Sequence, residues 1–311
     1  MARATGSTAQ LLAKFESEYG TAPSENFERL NFVTSDIGAE QPLEEDDVLG
    51  LGRKPAKPSR GLITDSGAIA VPVDLRDIGF WLKALLGAPQ TTGDPDYTHT
   101  FTGGASSLPS FACEVGHPNV PRYFLHTGCI AGSMQFNWAP SGRATATVNV
   151  TAQGETDAAT SGGGTPTTRS FDRFHQFQGS ISQGGSPLGN ITGAQLTIDN
   201  GLDPVRTIRS DGKIDGIDLG VCTVTGQITA RFADMTLMTA ATNDTAIDIA
   251  LAYTIGATKS LTMTLAEVYL PRAKAPLQGP GGVQVTFNFR AATPDVGEFL
   301  TVALKNDVAS Y

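Results

Sequence analysis

The 311-residue sequence is short of charge and shorter still of the residues that do chemistry. Charged side chains make up 17% of it, with four histidines and three cysteines. Four histidines leave few candidates for a general base, and no Gly-x-Ser-x-Gly elbow offers a nucleophile. A hydrolase is disfavoured on both counts. Cys113, Cys129 and Cys222 are odd in number and widely spaced, which excludes a disulfide scaffold. No apolar run is long enough to cross a bilayer, and the start, Met1-Ala2-Arg3-Ala4-Thr5-Gly6, lacks the apolar core of a signal peptide. Folding in a reducing cytoplasm is the expectation. The net charge of −9 speaks against a protein that grips nucleic acid by its phosphates, which needs clustered Lys and Arg. It allows a surface that nucleic acid passes without sticking. Only two Trp occur, too few for the clustered exposed aromatics of a lectin face.

What is abundant is Gly, Pro and Thr. The length fits two domains or one large all-β domain, and from residue 110 onward apolar residues recur with period two. Ala144, Ala146, Val148 and Val150 alternate with Thr145, Thr147, Asn149 and Thr151. Leu196 and Ile198 alternate with Gln195 and Thr197. Val221 to Phe232 continues the pattern with an interruption at Gly226, and Leu261, Met263 and Leu265 alternate with threonines. Val283, Val285, Phe287 and Phe289 alternate with Gln284, Thr286, Asn288 and Arg290. Such alternation predicts a sheet with one buried and one wetter face, and Gly-rich clusters such as Ser161-Gly162-Gly163-Gly164 and Gly279-Pro280-Gly281-Gly282 punctuate it. Ser133-Met134-Gln135-Phe136-Asn137-Trp138 echoes Gly193-Ala194-Gln195-Leu196-Thr197-Ile198. A duplicated β unit, at about 110–155 and 190–295, would produce that echo, and so would shared β composition.

One helix is expected, over about 74–87. Asp74 suits an N-cap, Asp77 suits the first turn, and Ile78, Trp81, Leu82 and Leu85 form an apolar stripe. Gly87 suits a left-handed C-terminal cap and Pro89 blocks continuation. These four apolar residues, with Phe287 and Phe289, are the candidate core. Residues 7–19, with Leu11, Leu12, Phe15 and Tyr19, fit a helix and a short strand equally well. Residues 1–72 read as an N-terminal segment carrying an extended arm, and 73–311 as the β-rich domain. The arm, 36–60, has an acidic half (Glu40, Glu44, Glu45, Asp46 and Asp47) and a basic half (Arg53, Lys54, Lys57 and Arg60) threaded with Pro55 and Pro58. It reads either as a solvated loop or as an arm lying on a neighbouring subunit, where complementary charge fixes register.

Metal and phosphate signals are weak. Cys113, His117, His126 and Cys129 lack the tight Cys-x-x-Cys knuckle of structural zinc, so no zinc is expected. Gly50-Leu51-Gly52-Arg53-Lys54 lacks the spacing and following Ser or Thr of a phosphate loop. Asp211-Gly212-Lys213-Ile214-Asp215-Gly216-Ile217-Asp218 does not place its oxygens at EF-hand spacing, and a turn built on Asp side chains is expected. No cofactor, catalytic or metal residue is assigned.

Motifs spread over most of the chain carry a resemblance. They are Glu18-Tyr19-Gly20-Thr21-Ala22-Pro23, Gly52-Arg53-Lys54-Pro55, Gly61, Ser66-Gly67-Ala68-Ile69 and Pro72-Val73-Asp74-Leu75-Arg76-Asp77-Ile78-Gly79. Phe80-Trp81-Leu82-Lys83-Ala84-Leu85-Leu86-Gly87, Tyr97-Thr98-His99-Thr100-Phe101, Leu108-Pro109-Ser110-Phe111, Glu114 and Gly128-Cys129 continue it. Val224-Thr225-Gly226, Phe232-Ala233-Asp234 and Val285 to Ala291 complete it. Together they resemble the major tail tube proteins of long-tailed bacteriophages with flexible, non-contractile (siphovirus-type) tails; the helix and its flanking loops are the most specific part. The resemblance implies a mainly β fold of two packed β-sheets with one flanking α-helix and long extended arms, and a structural, non-enzymatic role. It also implies stacked rings of the protein itself, usually six copies to a ring, or three if the β unit is duplicated. Sheets of neighbouring copies would join into one β-barrel around a lumen through which genome DNA passes at ejection. The implied partners are further copies, the tape measure protein, and the tail terminator and distal tail proteins. The implied location is the virion tail, assembled in the host cytoplasm without a membrane. The competing readings are a β-sandwich virion adhesin or a carbohydrate-binding module.

Overall fold

The computed structural model describes residues 3–24, 26–233, 235–277 and 279–311. Asp234, in one of the stretches that carry the resemblance, and Met1 and Ala2 lie outside them. The chain opens with β1 (Gln10–Phe15), β2 (Glu28–Leu30), β3 (Thr34–Ser35) and β4 (Gly38–Glu40). The strands β5 (Leu43–Glu44) and β6 (Ser59–Arg60) follow, then β7 (Thr64–Pro72) and α1 (Ile78–Leu86). The middle holds β8 (Gln90–Thr92), β9 (Tyr97–Thr102), β10 (Phe111–His117), β11 (Arg122–Trp138), β12 (Thr145–Ala152), β13 (Gly154–Ala158) and β14 (Thr167–Thr168). Next come β15 (Gly179–Gln183), β16 (Ser186–Pro187), β17 (Ile191–Asp199), β18 (Asp203–Val205), β19 (Gly216–Asp218) and β20 (Thr223–Arg231). The chain ends with α2 (Thr236–Asn243), β21 (Ile247–Gly256), β22 (Lys259–Tyr269), β23 (Gln284–Ala292) and β24 (Leu300–Asn306).

Four of the five period-two stretches, β12, β17, β20 and β23, are strands of one antiparallel sheet in the order β7, β12, β11, β17, β20, β23, and the fifth is β22. Behind it a second sheet runs β16, β15, β21, β22, β24, β9, β8. The two meet at a corner where the end of β22 pairs with the end of β23, Tyr269 opposite Arg290. Their inner faces form one core, in which the Trp138 ring stacks on Tyr253 at 5.3 Å. The long strand β11 joins the first sheet only from Ile130 onward: its residues 122–129 pair with β10 and β13 instead, in a side sheet with β1, β2 and β14. The stretch that fits helix and strand equally by period is therefore a strand, β1. Pairing with β10 along its whole length decides the matter, since six residues are too few for a helix to hold alone. The strands of residues 1–72 are woven into the sheets of 73–311, β1 through β10 and β7 through β12. The two echoing stretches are direct neighbours in antiparallel register, Met134 opposite Ile198 and Phe136 opposite Leu196.

The helix α1 starts at Ile78, four residues beyond Asp74. Asp74 still serves its N-terminus: the carboxylate accepts from the N–H of Ile78 at 3.1 Å and of Arg76 at 3.2 Å. Asp77 occupies the cap position but makes no cap bond; its carboxylate accepts instead from the side chain and backbone of Asn31. Gly87 has the left-handed φ of +90° that ends the helix. The sequence gives the helix one apolar stripe, whereas the fold buries every residue but Lys83, whose ammonium sits over the Phe15 ring at 4.4 Å. The helix is thus embedded between sheets rather than laid on a surface. Buried Asn200 donates to the Leu85 carbonyl at 2.9 Å, satisfying one orphan acceptor of its last turn. Ile78, Trp81, Leu82, Leu85, Phe287 and Phe289 are all buried. A second helix, α2, has no comparable signal in the sequence. Its eight residues bury only Leu237 and Ala241, too weak an apolar pattern to stand out.

Candidate functional surface

Of the two faces of the first sheet, one is core and the other is built from uncharged polar side chains. Ser66, Ala68 and Ala70 of β7 stand opposite Thr151, Asn149 and Thr147 of β12. Across the sheet follow Ser133, Gln135 and Asn137, then Gln195 and Thr197, then Thr225, Gln227 and Thr229, then Thr286 and Asn288. Their neighbours in sequence, Val148, Phe136, Leu196, Ile228 and Phe287, point into the core, so one periodicity builds both faces. The polar side chains bond to one another across strands. Asn149 donates to Ser133 at 2.8 Å, Gln195 donates to Asn137 at 3.3 Å, and the Thr229 and Thr286 hydroxyls meet at 3.0 Å. Such pairs hold the side chains against the sheet and smooth the face. Asp199, Arg231 and Arg290 are the charges at its margin. The acidic excess of the chain therefore lies elsewhere, and this face carries no cluster of cations for a phosphate backbone.

Gly226 is the interruption in the β20 pattern, and the fold explains it. It faces Phe289, and a Cβ there would fall 2.4 Å from that ring and 2.2 Å from the Gln195 carbonyl oxygen. Missing bulk on one strand admits an aromatic from the next.

The arm leaves this sheet at one edge. Strands β3 and β4 pair with β7, so residues 34–40 extend the sheet by one bent strand. The chain then runs out through β5 and returns through β6, which pair with each other, Leu43 opposite Arg60. Glu44, Glu45, Asp46, Asp47, Arg53, Lys54, Lys57 and Arg60 are all exposed. Among the described residues no ion pair joins the acidic half to the basic half. The sequence looks poor in apolar anchors here, yet Leu43, Val48, Leu49 and Leu51 are presented to solvent, Leu49 at 93%.

The four metal-like residues do not converge. Cys113 and His126 are cross-strand partners, Cys129 lies opposite Phe111, and His117 packs against Phe124 at 6.0 Å. Burial pushes the Cys113 thiol up to about 12. The donors that do meet, among the described residues, are Asp65, His126 and Glu155. His126 Nδ1 lies 3.0 Å from both Asp65 oxygens and 3.9 Å from Glu155 Oε2, which also accepts from the Ala39 N–H. This cluster pins β4, β7, β11 and β13 together. The sequence concealed it because its members are 90 residues apart and carry no spacing signal.

The other histidines serve local structure. His99 Nε2 faces the Val308 carbonyl at 2.8 Å and Asn306 Oδ1 at 3.2 Å, both acceptors, so Nε2 carries the proton and Nδ1 accepts from the Thr91 hydroxyl at 2.8 Å. Burial holds this imidazole below its usual range, and it ties the chain after β24 to β9. His175 stacks on Phe177. In the Asp-rich loop Arg209 takes up Asp211 through a two-pronged contact and Asp215 at 2.7 Å, which makes it the expected turn. Gly50 to Lys54 sits at the exposed tip of the arm. Among the described residues no helix is long and apolar enough to cross a membrane.

Compared with known proteins, residues 6–291 match the family model described as phage tail tube protein. No curated protein matches the chain.

Proposed function

The chain belongs to the phage tail tube protein family, and from that premise we propose that its copies stack as rings whose joined polar sheets line a conduit for genome DNA. The observation that supports this most is the uncharged polar face from β7 to β23. Duplex DNA is held by proteins through Lys and Arg that displace its counterions. A wall of Thr, Ser, Asn and Gln offers no such hold, and its side chains already bond to one another, so DNA slides without a ladder of contacts to break. The open edges of the sheet fit the same reading, because unpaired edges are an aggregation hazard unless a partner covers them, and a ring covers them all. The structural role has no use for a catalytic constellation.

The arm serves the axial direction. Its unpaired charges and exposed Val48, Leu49 and Leu51 dock on a copy in the next ring, where opposite charge sets register and apolar contact adds affinity. Such head-to-tail contact propagates without closing. The tube assembles in the host cytoplasm into the tail of a siphovirus-type virion. The tape measure, terminator and distal tail proteins meet the tube at its lumen and ends.

Negative-stain microscopy of the purified protein tests the assembly: long tubes are expected, and discrete particles at every concentration would overturn the reading. Placing Lys at Thr147, Thr197 and Thr225 tests the lumen. Such tubes should form normally but slow DNA ejection, with the delay shrinking as salt rises. Unchanged ejection would place this face elsewhere.

A further inference from the structure

A cleft of about 430 Å³ opens where the ends of β11 and β17 meet β15 and β16. Its walls include Trp138 and Pro140, Phe177 in the turn before β15, and Pro187, Leu188 and Ile191. Phe177 is 75% exposed, its ring stacked on His175 at 5.2 Å. Trp138 stacks on Tyr253, and its buried indole N–H has no acceptor among the described residues. The rim is held in place: the Gln176 side chain accepts from the Ala139 N–H at 3.1 Å and donates to the Asn137 carbonyl at 2.9 Å, which ties the Phe177 turn to the end of β11. Aromatic and proline walls with a donor to spare are the chemistry that takes a polyproline II segment.

The chain carries such a segment. Lys54-Pro55-Ala56-Lys57-Pro58 lies in the arm between β5 and β6, outside every strand, with both prolines exposed. At three residues per turn Pro55 and Pro58 fall on one edge of a polyproline II helix, and Lys54 and Lys57 on another. We infer that the cleft receives Pro55 and Pro58 of another copy, in the adjoining ring. This rests on the tube reading above and names the receptor for its arm.

Strand register supports the pairing of arm and cleft. Along β7 and β12, Asp65 stands opposite Ala152 at one end and Pro72 opposite Thr145 at the other, about 24 Å away at seven rises of the strand. The arm leaves at the Asp65 end, where Glu40 pairs with Thr64. The cleft lies at the Pro72 end. There β11 runs from Phe136, opposite Ala146, to Trp138, opposite Ala194. Head-to-tail stacking requires this placement, since each ring offers arms to one neighbour and clefts to the other. Extended chain carries Pro58 and Pro55 up to about 20 and 30 Å beyond Thr64, far enough to cross the junction between rings.

Two measurements test this. Phe177→Ser, and Pro55→Ala made together with Pro58→Ala, alter exposed residues, so both variants should melt as wild type. Each should raise the protein concentration needed for tube growth roughly ten-fold, as loss of a well-packed anchor does. The combined variant should raise it no further, because both changes remove one contact. Growth of either variant at the wild-type concentration, or effects that multiply in the combined variant, would overturn the inference and leave the tube reading standing. With Cys222→Ser in every chain, tubes mixed from Phe177→Cys chains and Ala56→Cys chains should, on oxidation, yield a covalent dimer on a denaturing gel. Mixed tubes that yield no dimer would overturn the inference too. Wild-type protein that forms no tubes at all would overturn both readings.

Discussion

Replacing Asp74 by Asn, and following urea unfolding of the unassembled subunit from about pH 4 to pH 8, isolates the effect of one buried carboxyl. Asp74 is fully buried, and its pKa is pushed from 3.8 up to about 7 by burial and by Asp77 beside it. Three backbone N–H groups pull the other way, and burial wins. Between 3.8 and about 7 the folded protein keeps a proton that the unfolded chain has released. Stability therefore falls as pH rises through this window; the contribution is complete below it and lost above it. At about 1.36 kcal/mol per pH unit the loss is at most ~4 kcal/mol, an order-of-magnitude ceiling. Asn keeps an oxygen for the Ile78 N–H but not a second acceptor for Arg76, a pH-independent cost of ~1 kcal/mol. The variant should be slightly less stable than wild type near pH 4 and more stable by roughly 2–3 kcal/mol near pH 8, with the crossover between. Taking the difference at each pH cancels the other titrating groups. A difference that stays constant from pH 4 to pH 8 would refute the argument, because it would mean that Asp74 is charged in the folded state throughout.

Trp81 packs edge-on against Phe80 at 5.5 Å and Phe111 at 6.0 Å, so Trp81→Ala should cost about 3–5 kcal/mol in denaturant unfolding. An indole fluorescence component freely quenched from solvent, and lost with that substitution, would contradict its placement. Gly226→Val should drive the Phe289 ring from its seat and cost about 1–3 kcal/mol, with Phe289→Leu in the same chain recovering part of the loss; unchanged stability would show that β20 and β23 adjust freely. His126→Ala leaves the Asp65 carboxylate buried without its partner and should cost about 3–5 kcal/mol, whereas Asp65→Asn with His126→Leu together should cost less than the sum of the two singles. Reversing Arg53, Lys54, Lys57 and Arg60 to Glu should give folded subunits with normal melting but slow tube growth, and normal growth at matched salt and concentration would remove the arm from assembly.

Alternation along the chain marked five stretches, in β12, β17, β20, β22 and β23, as strands and set which of their residues are buried. Val148, Leu196, Ile228 and Phe287 could be assigned to the core without coordinates because side-chain direction in a strand is set by local backbone geometry. Helix α1 was legible for the same kind of reason, its cap residues and apolar stripe lying within one short window. Motifs spread along the chain were enough to point to the tail tube family. Sheet order was not legible. Pairing β12 with β7 or β20 with β23 joins residues dozens of positions apart, and nothing in either strand names its partner. That order collects scattered threonines, glutamines and asparagines into one neutral face, brings Asp65, His126 and Glu155 together, and fits Phe289 over Gly226. Among the described residues it also leaves β3 and β4, and β23 over 284–289, with one edge unpaired. Local periodicity is written in neighbouring residues, whereas a histidine–carboxylate contact and a polar wall exist only once distant segments have been brought side by side by the packing of the core.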